Sequence, residues 1–325
     1  MSKPLLEIRD LNVSFGTKDK PLCVVNDVSF SINPGEAIGV VGESGSGKSM
    51  TALSILQLVP TPPARVTGQV YFDGKDLLQL SNSELTSIRG KEIGFIFQEP
   101  MSSLNPVMTI GDQIDEAIML HTDLSADARR VKVLELLRLV GMPDPETRID
   151  VYPDQFSGGM RQRVVIAIAM ACNPKLLIAD EPTTALDVTI QAQVLDMMLD
   201  IRKQYNSAIM LITHDLGVVA EFCERVIVMY AGHILEDADI NSLFASPKHP
   251  YTQGLLKSVL TLTEKQHRLY QIQGSVPPPG TIKEGCPFRP RCPVRMDRCA
   301  VEMPPMKSYG PTHVAACWAT AEGVE

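Results

Sequence analysis

One glycine-rich loop constrains the fold of this 325-residue chain more than any other stretch. Its residues are Gly42-Glu43-Ser44-Gly45-Ser46-Gly47-Lys48-Ser49. They match G-x-x-x-x-G-K-S, the P-loop pattern. The apolar run 37–41 before the loop predicts a buried strand, and residues 50–56 after it predict a helix. A strand, a glycine loop and a helix in this order indicate a phosphate site in an α/β fold rather than a chance glycine turn.

The composition of the loop predicts how it would hold a triphosphate. Glycines let backbone N–H groups curl around an anion, so we expect residues 42 and 44–47 to cradle the phosphates. Lys48 can reach the β- and γ-phosphates, and Ser49 can ligate Mg²⁺. The predicted ligand is therefore a nucleotide with Mg²⁺.

Charge and hydropathy exclude several other classes of protein. The net charge is −8 without a basic stripe, which argues against a nucleic-acid partner. No apolar run reaches the roughly 18 residues that a membrane span needs. A charge at Glu7 comes too early for a signal peptide, so we expect a cytosolic chain whose membrane role depends on partners.

Polar side chains follow two predicted strands of the core. Gln98 ends the run 93–97, where it could reach Mg²⁺ and the attacking water or cap loop backbone. Asp180 and Glu181 end the run 176–179. At the carboxyl edge of a parallel sheet, Asp180 can hold the Mg²⁺ shell and Glu181 can polarise the attacking water. Two merely solvated acids are the less favoured interpretation beside a P-loop.

Three other positions allow both a structural and a functional interpretation. Phe15 ends a predicted strand and could stack on adenine or fill the core. Ser157-Gly158-Gly159 opens a predicted helix, either as an ordinary N-cap or as a second anion-binding site. One compact domain cannot use both loops on the same phosphate, so the second would serve a nucleotide on another chain. His214 follows the predicted strand 208–213, where it could contact the γ-phosphate.

Taken together, these elements resemble the ATPase subunits of ABC transporters in order and spacing, over about residues 5–245. The resemblance implies a P-loop NTPase of the ABC nucleotide-binding type, with a mixed β-sheet core and a helical subdomain at about 99–155. It also implies that Phe15 stacks on adenine and that Gln98 senses Mg²⁺, the water and a transmembrane partner. Ser157, Gly158 and Gly159 would cap ATP bound to the opposite subunit.

The same resemblance assigns the remaining residues of the site. Glu181 resembles the catalytic base, Asp187 the D-loop residue and His214 the switch histidine. Two positions depart from the family's usual Leu-Ser-Gly-Gly-Gln signature, because Phe156 stands where it has Leu and Met160 stands where it has Gln. The phosphate-facing Ser157 and glycines are kept, so we expect capping to be retained.

The C-terminal part, about 246–325, resembles the extension of dipeptide and oligopeptide importer ATPases. The residues that carry this likeness are His249-Pro250-Tyr251-Thr252, the stiff linker 276–280 and four cysteines after it. The stretches 97–106 and 180–187 also resemble that subfamily. We expect an ABC domain over 1–245 and an extension with a Cys-rich segment over 286–318.

Four cysteines lie close together in this segment, and in a reducing compartment such a cluster indicates metal binding rather than disulfides. They are Cys286, Cys292, Cys299 and Cys317, spaced C-x₅-C-x₆-C-x₁₇-C. The gaps are longer than in most structural zinc sites, and the resemblance favours a [4Fe–4S] cluster. Zinc, with His313 in place of Cys317, and free thiols are the alternatives. The other cysteines, Cys23, Cys172 and Cys223, are predicted to be core residues.

The resemblance implies an ATP-hydrolysing subunit that powers import of di- and oligopeptides, bound peripherally at the cytoplasmic face of a bacterial or archaeal membrane. Expected partners are a second ATPase, usually a paralogue, two permease subunits and, indirectly, an extracytoplasmic peptide-binding protein. Alternative substrates are nickel, glutathione or an antimicrobial peptide. A soluble ABC ATPase without a transport role, and a redox sensor formed by the cysteines, are further hypotheses.

Overall fold

The computed structural model describes residues 3–17, 20–99, 103–184, 186–258 and 271–323. The subfamily stretches 97–106 and 180–187 therefore lie partly outside the described residues, at 100–102 and 185. The chain forms two compact units. We call residues 4–31, 37–78 and 213–325 the P-loop unit, and residues 1–3, 32–36 and 79–212 the helical unit.

The P-loop unit is built mainly from strands. Its strands are β1 (Leu6–Thr17), β2 (Lys20–Ile32), β3 (Ala37–Val41), β4 (Arg65–Phe72), β5 (Lys75–Asp76), β9 (Arg225–Tyr230), β10 (His233–Asp239), β11 (Lys307–Gly310) and β12 (His313–Ala315). Its helices are α1 (Lys48–Ile55), α8 (Leu216–Phe222), α9 (Ile240–Ala245), α10 (Pro250–Ser258) and α11 (Trp318–Glu322), with 3₁₀ turns at Leu77–Gln79, Arg289–Arg291 and Asp297–Ala300.

Two groups of strands organise this unit. The order β2-β1-β4-β5 forms one sheet, in which β1 pairs with β4 and β4 with β5 in antiparallel directions, and buried apolar side chains of β1 alternate with more exposed ones. The second group runs β11-β12-β10-β9-β3, with β3 parallel to β9 and the other pairs antiparallel. All five residues of β3 are buried, which explains the continuous apolar run before the glycine loop.

The helical unit contains a parallel sheet and most of the long helices. Its strands are β6 (Ile93–Ile96), β7 (Leu176–Asp180) and β8 (Ala208–Thr213). Its helices are α2 (Asn82–Ile88), α3 (Ile110–Met119), α4 (Ala126–Leu139), α5 (Pro145–Arg148), α6 (Gly158–Ala169) and α7 (Val188–Tyr205), with a 3₁₀ turn at Pro153–Gln155. The strands pair in the order β8-β7-β6, and every residue of β7 and β8 is buried.

Side-chain caps set the starts of α2, α3, α4, α6 and α7. Ser81 and Glu84 form a capping box at α2. Thr109 caps α3 and Ser125 caps α4, so two separate helices follow β6. The predicted strands and helices are thus present, whereas the domain boundary near residue 245 remains a prediction.

Within the described residues, no helix combines the length and the apolar character needed to cross a membrane.

Candidate nucleotide-binding and hydrolysis site

The glycine loop joins β3 to α1, and its backbone at Gly42 has a conformation that residues with a Cβ rarely adopt. Gly42 has φ +155°, and a Cβ there would lie 2.2 Å from the carbonyl oxygen of Met229 and 2.8 Å from Oγ of Ser46. On the other side of the loop, the carbonyl of Ser46 accepts a 2.9 Å hydrogen bond from N–H of Gly232. The loop is therefore fixed against the end of β9 and the turn after it.

Lys48 folds back over the loop from the first turn of α1. Its Nζ donates to the carbonyl oxygens of Gly42 at 2.7 Å and Glu43 at 3.1 Å, and to Oγ of Ser46 at 3.2 Å. The residue is only 6% exposed. These bonds hold the loop curled around the ammonium group. A bound phosphate would compete with the same acceptors for the hydrogen bonds of Lys48.

A cavity of about 860 Å³ opens beside Gly45 in the P-loop unit. Val24 of β2, His233 of β10 and the linker residues 277–280 are among its walls. Phe15 is half-buried at the end of β1 and is not among the described residues that line this cavity. Its predicted role in stacking on adenine remains a prediction.

Glu181 is held by two side chains of the helical unit. Nε2 of Gln98 donates to Oε2 of Glu181 at 3.2 Å, and Oγ1 of Thr184 donates to the same oxygen at 2.7 Å. The backbone of Glu181 has φ +47°, an unusual value for a residue with a side chain, and its N–H donates to the carbonyl of Ile212 at 2.9 Å. The structure thus brings two predicted residues together, whereas Thr184 was not predicted.

The other predicted residues near strand ends have diverse environments. Asp180 closes β7 and is 6% exposed. Asp187 is exposed and caps α7, accepting a 3.0 Å bond from N–H of Ile190. His214 is exposed directly after β8. Capping explains Asp187 structurally, and its D-loop role stays a prediction.

The Ser-Gly-Gly sequence forms the start of α6. Ser157 is exposed and its Oγ caps the helix by accepting from N–H of Met160 at 3.4 Å. A Cβ on Gly159 would lie 2.6 Å from Cγ2 of Ile190 on α7, so this glycine is required for helix packing within the unit. Gly158 has more space, since an added Cβ would lie 3.8 Å from Cδ2 of Leu186. Ser157 is thus an N-cap of α6, and because it is exposed it could also contact a nucleotide on another chain.

The four cysteines of the C-terminal segment differ in exposure. Cys286, Cys299 and Cys317 are buried and Cys292 is half-buried. Burial is the main reason that the pKa of Cys286 is raised to about 12, and the other three thiols contribute to this rise, so all four are within electrostatic range. No group of three or more His, Cys, Asp or Glu side chains among the described residues is arranged to hold a metal. Four thiols are nevertheless a donor set of the type that soft metals prefer.

Two further expectations about this region change with the structure. His313, the alternative zinc ligand, is engaged by a buried carboxylate, with Nε2 at 2.7 Å from Oε1 of Glu236. Cys23 was predicted to be a core residue, but it is exposed. Cys23 lies near the start of β2 in the wall of the cavity, where its neighbour Leu22 is exposed as well, so the apolar sequence around it does not bury it.

Comparisons with known proteins agree with this geometry. The sequence pattern described as "ABC transporter" matches residues 25–184. A second pattern, "Oligopeptide/dipeptide transporter, C-terminal region", matches residues 235–299. A probable peptide ABC transporter ATP-binding protein of Sinorhizobium fredii is 50% identical over 98% of this chain and 96% of its own length. The chain belongs to the ABC transporter family of ATP-binding proteins.

Other relatives of this ABC protein extend over nearly the whole chain. An oligopeptide transport ATP-binding protein of Bacillus subtilis is 48% identical over 97% of this chain and 96% of its own length. A dipeptide transport ATP-binding protein of Escherichia coli is 46% identical, covering 96% of each chain. A solved ATP-binding cassette, dimeric and bound to ADP and phosphate, superposes with a TM-score of 0.64 at 28% identity over 72% of this chain and 98% of its own.

Proposed function

We propose that this protein hydrolyses ATP to power the import of di- and oligopeptides through an ABC transporter at the cytoplasmic face of a membrane. The main support for peptides as the substrate is the match of residues 235–299 to the C-terminal region of oligopeptide and dipeptide transporters. The names of relatives that are 46–50% identical over nearly the whole chain support it. The expected complex has a second, paralogous ATPase, two permease subunits and an external peptide-binding protein.

We expect one group of these residues to bind the nucleotide and a second group to activate the attacking water. Lys48 and Ser49 would bind the triphosphate and Mg²⁺, because the loop already directs Lys48 inward over its backbone. Glu181 would act as general base toward the attacking water, oriented by the hydrogen bonds from Gln98 and Thr184. Asp180 would join the Mg²⁺ shell, and His214 would contact the γ-phosphate.

The two phosphate-binding surfaces suggest that the site is completed by a second subunit. Ser157, Gly158 and Gly159 would cap ATP held by the paired ATPase, with Asp187 beside the contact. Closure of the pair would assemble the hydrolytic site, and hydrolysis would release it. The predicted helical subdomain, about 99–155, would transmit this motion to the permease.

Transport by the reconstituted complex tests the proposal. Proteoliposomes that contain the permease, both ATPases and the binding protein are supplied with ATP on the ATPase side and with a labelled dipeptide or pentapeptide. We expect peptide uptake that requires ATP. Glu181→Gln is expected to lower turnover by about 10²–10⁴-fold while ATP binding is retained, because the amide keeps the shape of the carboxylate without its basicity.

Three results would contradict specific parts of the proposal. Uptake of nickel or glutathione instead of peptides would overturn the substrate class while leaving the ATPase role. Robust hydrolysis by Glu181→Gln would overturn the role of this carboxylate. ATP turnover without any permease requirement would favour a soluble ABC ATPase.

We propose in addition that residues 246–325 form a small extension whose Cys-rich segment, 286–318, holds a [4Fe–4S] cluster, with zinc as the alternative. The support is the donor set, four soft thiols within electrostatic range in a segment with little regular structure. Such a cluster would cross-link the segment. A broad brown absorption band in anaerobically purified protein is expected, lost in Cys286→Ser and kept in the control Cys172→Ser. Colourless protein loaded with zinc would contradict the iron assignment.

A further inference from the structure

Glu43, the second residue of the P-loop, is held by side chains from the C-terminal part of the chain. The guanidinium of Arg291 approaches both carboxylate oxygens of Glu43, with Nη1 at 3.0 Å from each. The hydroxyl oxygen of Tyr251 accepts a 2.9 Å hydrogen bond from the backbone N–H of Glu43. All three residues belong to the P-loop unit. The loop is thus fixed by residues that lie more than 200 positions away in sequence.

Arg291 is itself rigidly held. Its Nε donates to the carbonyl of Gln273 at 2.9 Å and its Nη2 to the carbonyl of Ile272 at 3.1 Å. Nη1 also lies 3.3 Å from the hydroxyl of Tyr230, the last residue of β9. The side chain is only 5% exposed. A guanidinium with so many fixed partners presents its charge at one place, which a surface arginine does not do.

Tyr251 is equally fixed, by an aromatic cluster beneath the loop. Its ring centroid lies 4.7 Å from that of Tyr230 and 5.3 Å from that of Phe288, and all three side chains are almost fully buried. The N–H of Tyr251 donates to Nδ1 of His249 at 3.0 Å, while the N–H of His249 donates to buried Glu236 at 2.8 Å. The hydroxyl therefore has little freedom to move away from Glu43.

The charge of Glu43 gives this arrangement a consequence for nucleotide binding. A P-loop collects a highly anionic ligand, and a carboxylate within the loop opposes that ligand. Because Arg291 sits on the carboxylate and is shielded from water, it offsets the repulsion more effectively than an exposed cation would. The backbone carbonyl of Glu43 is also an acceptor for Lys48, so a shift of this residue would redirect the phosphate-binding ammonium group.

We infer that Arg291 and Tyr251 are positioning residues of the nucleotide site. Arg291 compensates the negative charge of Glu43, and Tyr251 holds the backbone of the loop in the conformation that binds ATP. The inference rests on the proposed role of the loop in ATP binding. It gives the C-terminal part of the chain a direct effect on ATP affinity, apart from any metal that its cysteines hold. Both residues act on the loop that receives the phosphates, so the effect falls on binding rather than on the chemical step.

The test measures binding of a fluorescent ATP analogue to the full-length chain and the ATPase kinetics of the assembled transporter. Arg291→Met is expected to raise the Kd and the KM for ATP on the order of tenfold, with kcat within about twofold of wild type, because one uncompensated charge then faces the phosphates. Tyr251→Phe is expected to raise the Kd by about fivefold, since the N–H of Glu43 loses its acceptor. The matched control is Arg289→Met, because Arg289 lies in the same 3₁₀ turn but donates to the carbonyls of Glu284 and Ala300.

A charge rescue separates positioning from a general loosening of the segment. Glu43→Gln alone should change the Kd by less than about threefold, and added to Arg291→Met it should restore most of the lost affinity, because no carboxylate then needs neutralising. Failure of this rescue, or an equal loss in Arg289→Met, overturns the inference. If Arg291→Met does not fold, Tyr251→Phe and Glu43→Gln decide, with the fivefold loss of affinity expected in the first and a change below about threefold in the second. A wild-type chain that binds no ATP would instead refute the proposed function.

Discussion

Two glycines of the P-loop are predicted to differ sharply in their response to a single methyl group. Both have positive φ, +155° at Gly42 and +78° at Gly45. A Cβ on Gly45 meets nothing within 4 Å, whereas a Cβ on Gly42 would lie 2.2 Å from the carbonyl oxygen of Met229. Gly45→Ala therefore carries only the backbone strain, and Gly42→Ala adds a steric overlap that the loop can relieve only by moving.

The magnitudes follow from these two terms. An alanine in the left-handed region costs about 1–2 kcal/mol, partly offset because the unfolded chain loses freedom as well, so Gly45→Ala should lower the free energy of unfolding by about 1 kcal/mol. Overpacking against buried backbone adds about 1–3 kcal/mol, and the φ of Gly42 is nearly inaccessible to other residues. We expect Gly42→Ala to be less stable than Gly45→Ala by about 2–4 kcal/mol.

Urea unfolding of the nucleotide-free chain, followed by far-ultraviolet circular dichroism, measures the difference directly. Comparison of the two variants cancels the common cost of adding a methyl group. A Gly42→Ala variant whose unfolding free energy lies within about 0.5 kcal/mol of that of Gly45→Ala would refute the account of the loop as fixed against β9. Unchanged affinity of the Gly42→Ala variant for ATP would likewise show that the loop had not moved and would count against this account.

Three further predictions concern contacts of single residues. Thr184→Val should lower kcat by about 3–10-fold because Glu181 loses a 2.7 Å donor, whereas Thr184→Ser should not; steady-state ATPase rates of the assembled transporter compare them, and equal rates would remove Thr184 from the site. Gly159→Ala should destabilise the chain by about 1–3 kcal/mol, and Ile190→Ala in the same chain should recover part of the loss, since the new Cβ would lie 2.6 Å from Ile190; additive losses in thermal unfolding would contradict the packing. Hydrogen bonds from Ser242 and Thr312 lower the pKa of Asp239 to about 2, below its unfolded value, so the stability that this N-cap contributes, about 1 kcal/mol, is present above about pH 4 and is lost as the pH falls toward 2. The stability difference between wild type and Asp239→Ala should therefore shrink across that range in urea unfolding, and a constant difference would refute the cause.

Local spacing in the sequence was enough to predict the local structure around the glycine loop and the meeting of two strand ends. The strand, glycine loop and helix around Lys48 are continuous in the chain, and their geometry follows from the backbone freedom of glycine and the helix start. Gln98 and Glu181 were predicted because each follows an apolar strand, and parallel strands bring their carboxyl ends to one edge.

Contacts between distant residues could not be predicted in this way. Arg291 and Glu43 are 248 residues apart, and neither stands in a pattern that names the other. Thr184 lies in a turn whose conformation decides whether its hydroxyl faces Glu181 or solvent. Cys23 shows the opposite error, because an apolar neighbourhood in sequence indicates burial only when the fold covers both sides of the strand.

The central claim is that Ser157 serves a nucleotide held by the paired ATPase rather than by its own subunit. Ser157→Asp tests it, because aspartate retains the N-cap of α6 yet places a negative charge where a triphosphate would be capped. The direct measurement compares ATP binding to the isolated variant chain with ATP hydrolysis by the assembled transporter. The account predicts a Kd within about twofold of wild type and a loss of hydrolysis of at least about tenfold. Unchanged hydrolysis, or a loss of ATP binding by the isolated chain, would contradict it.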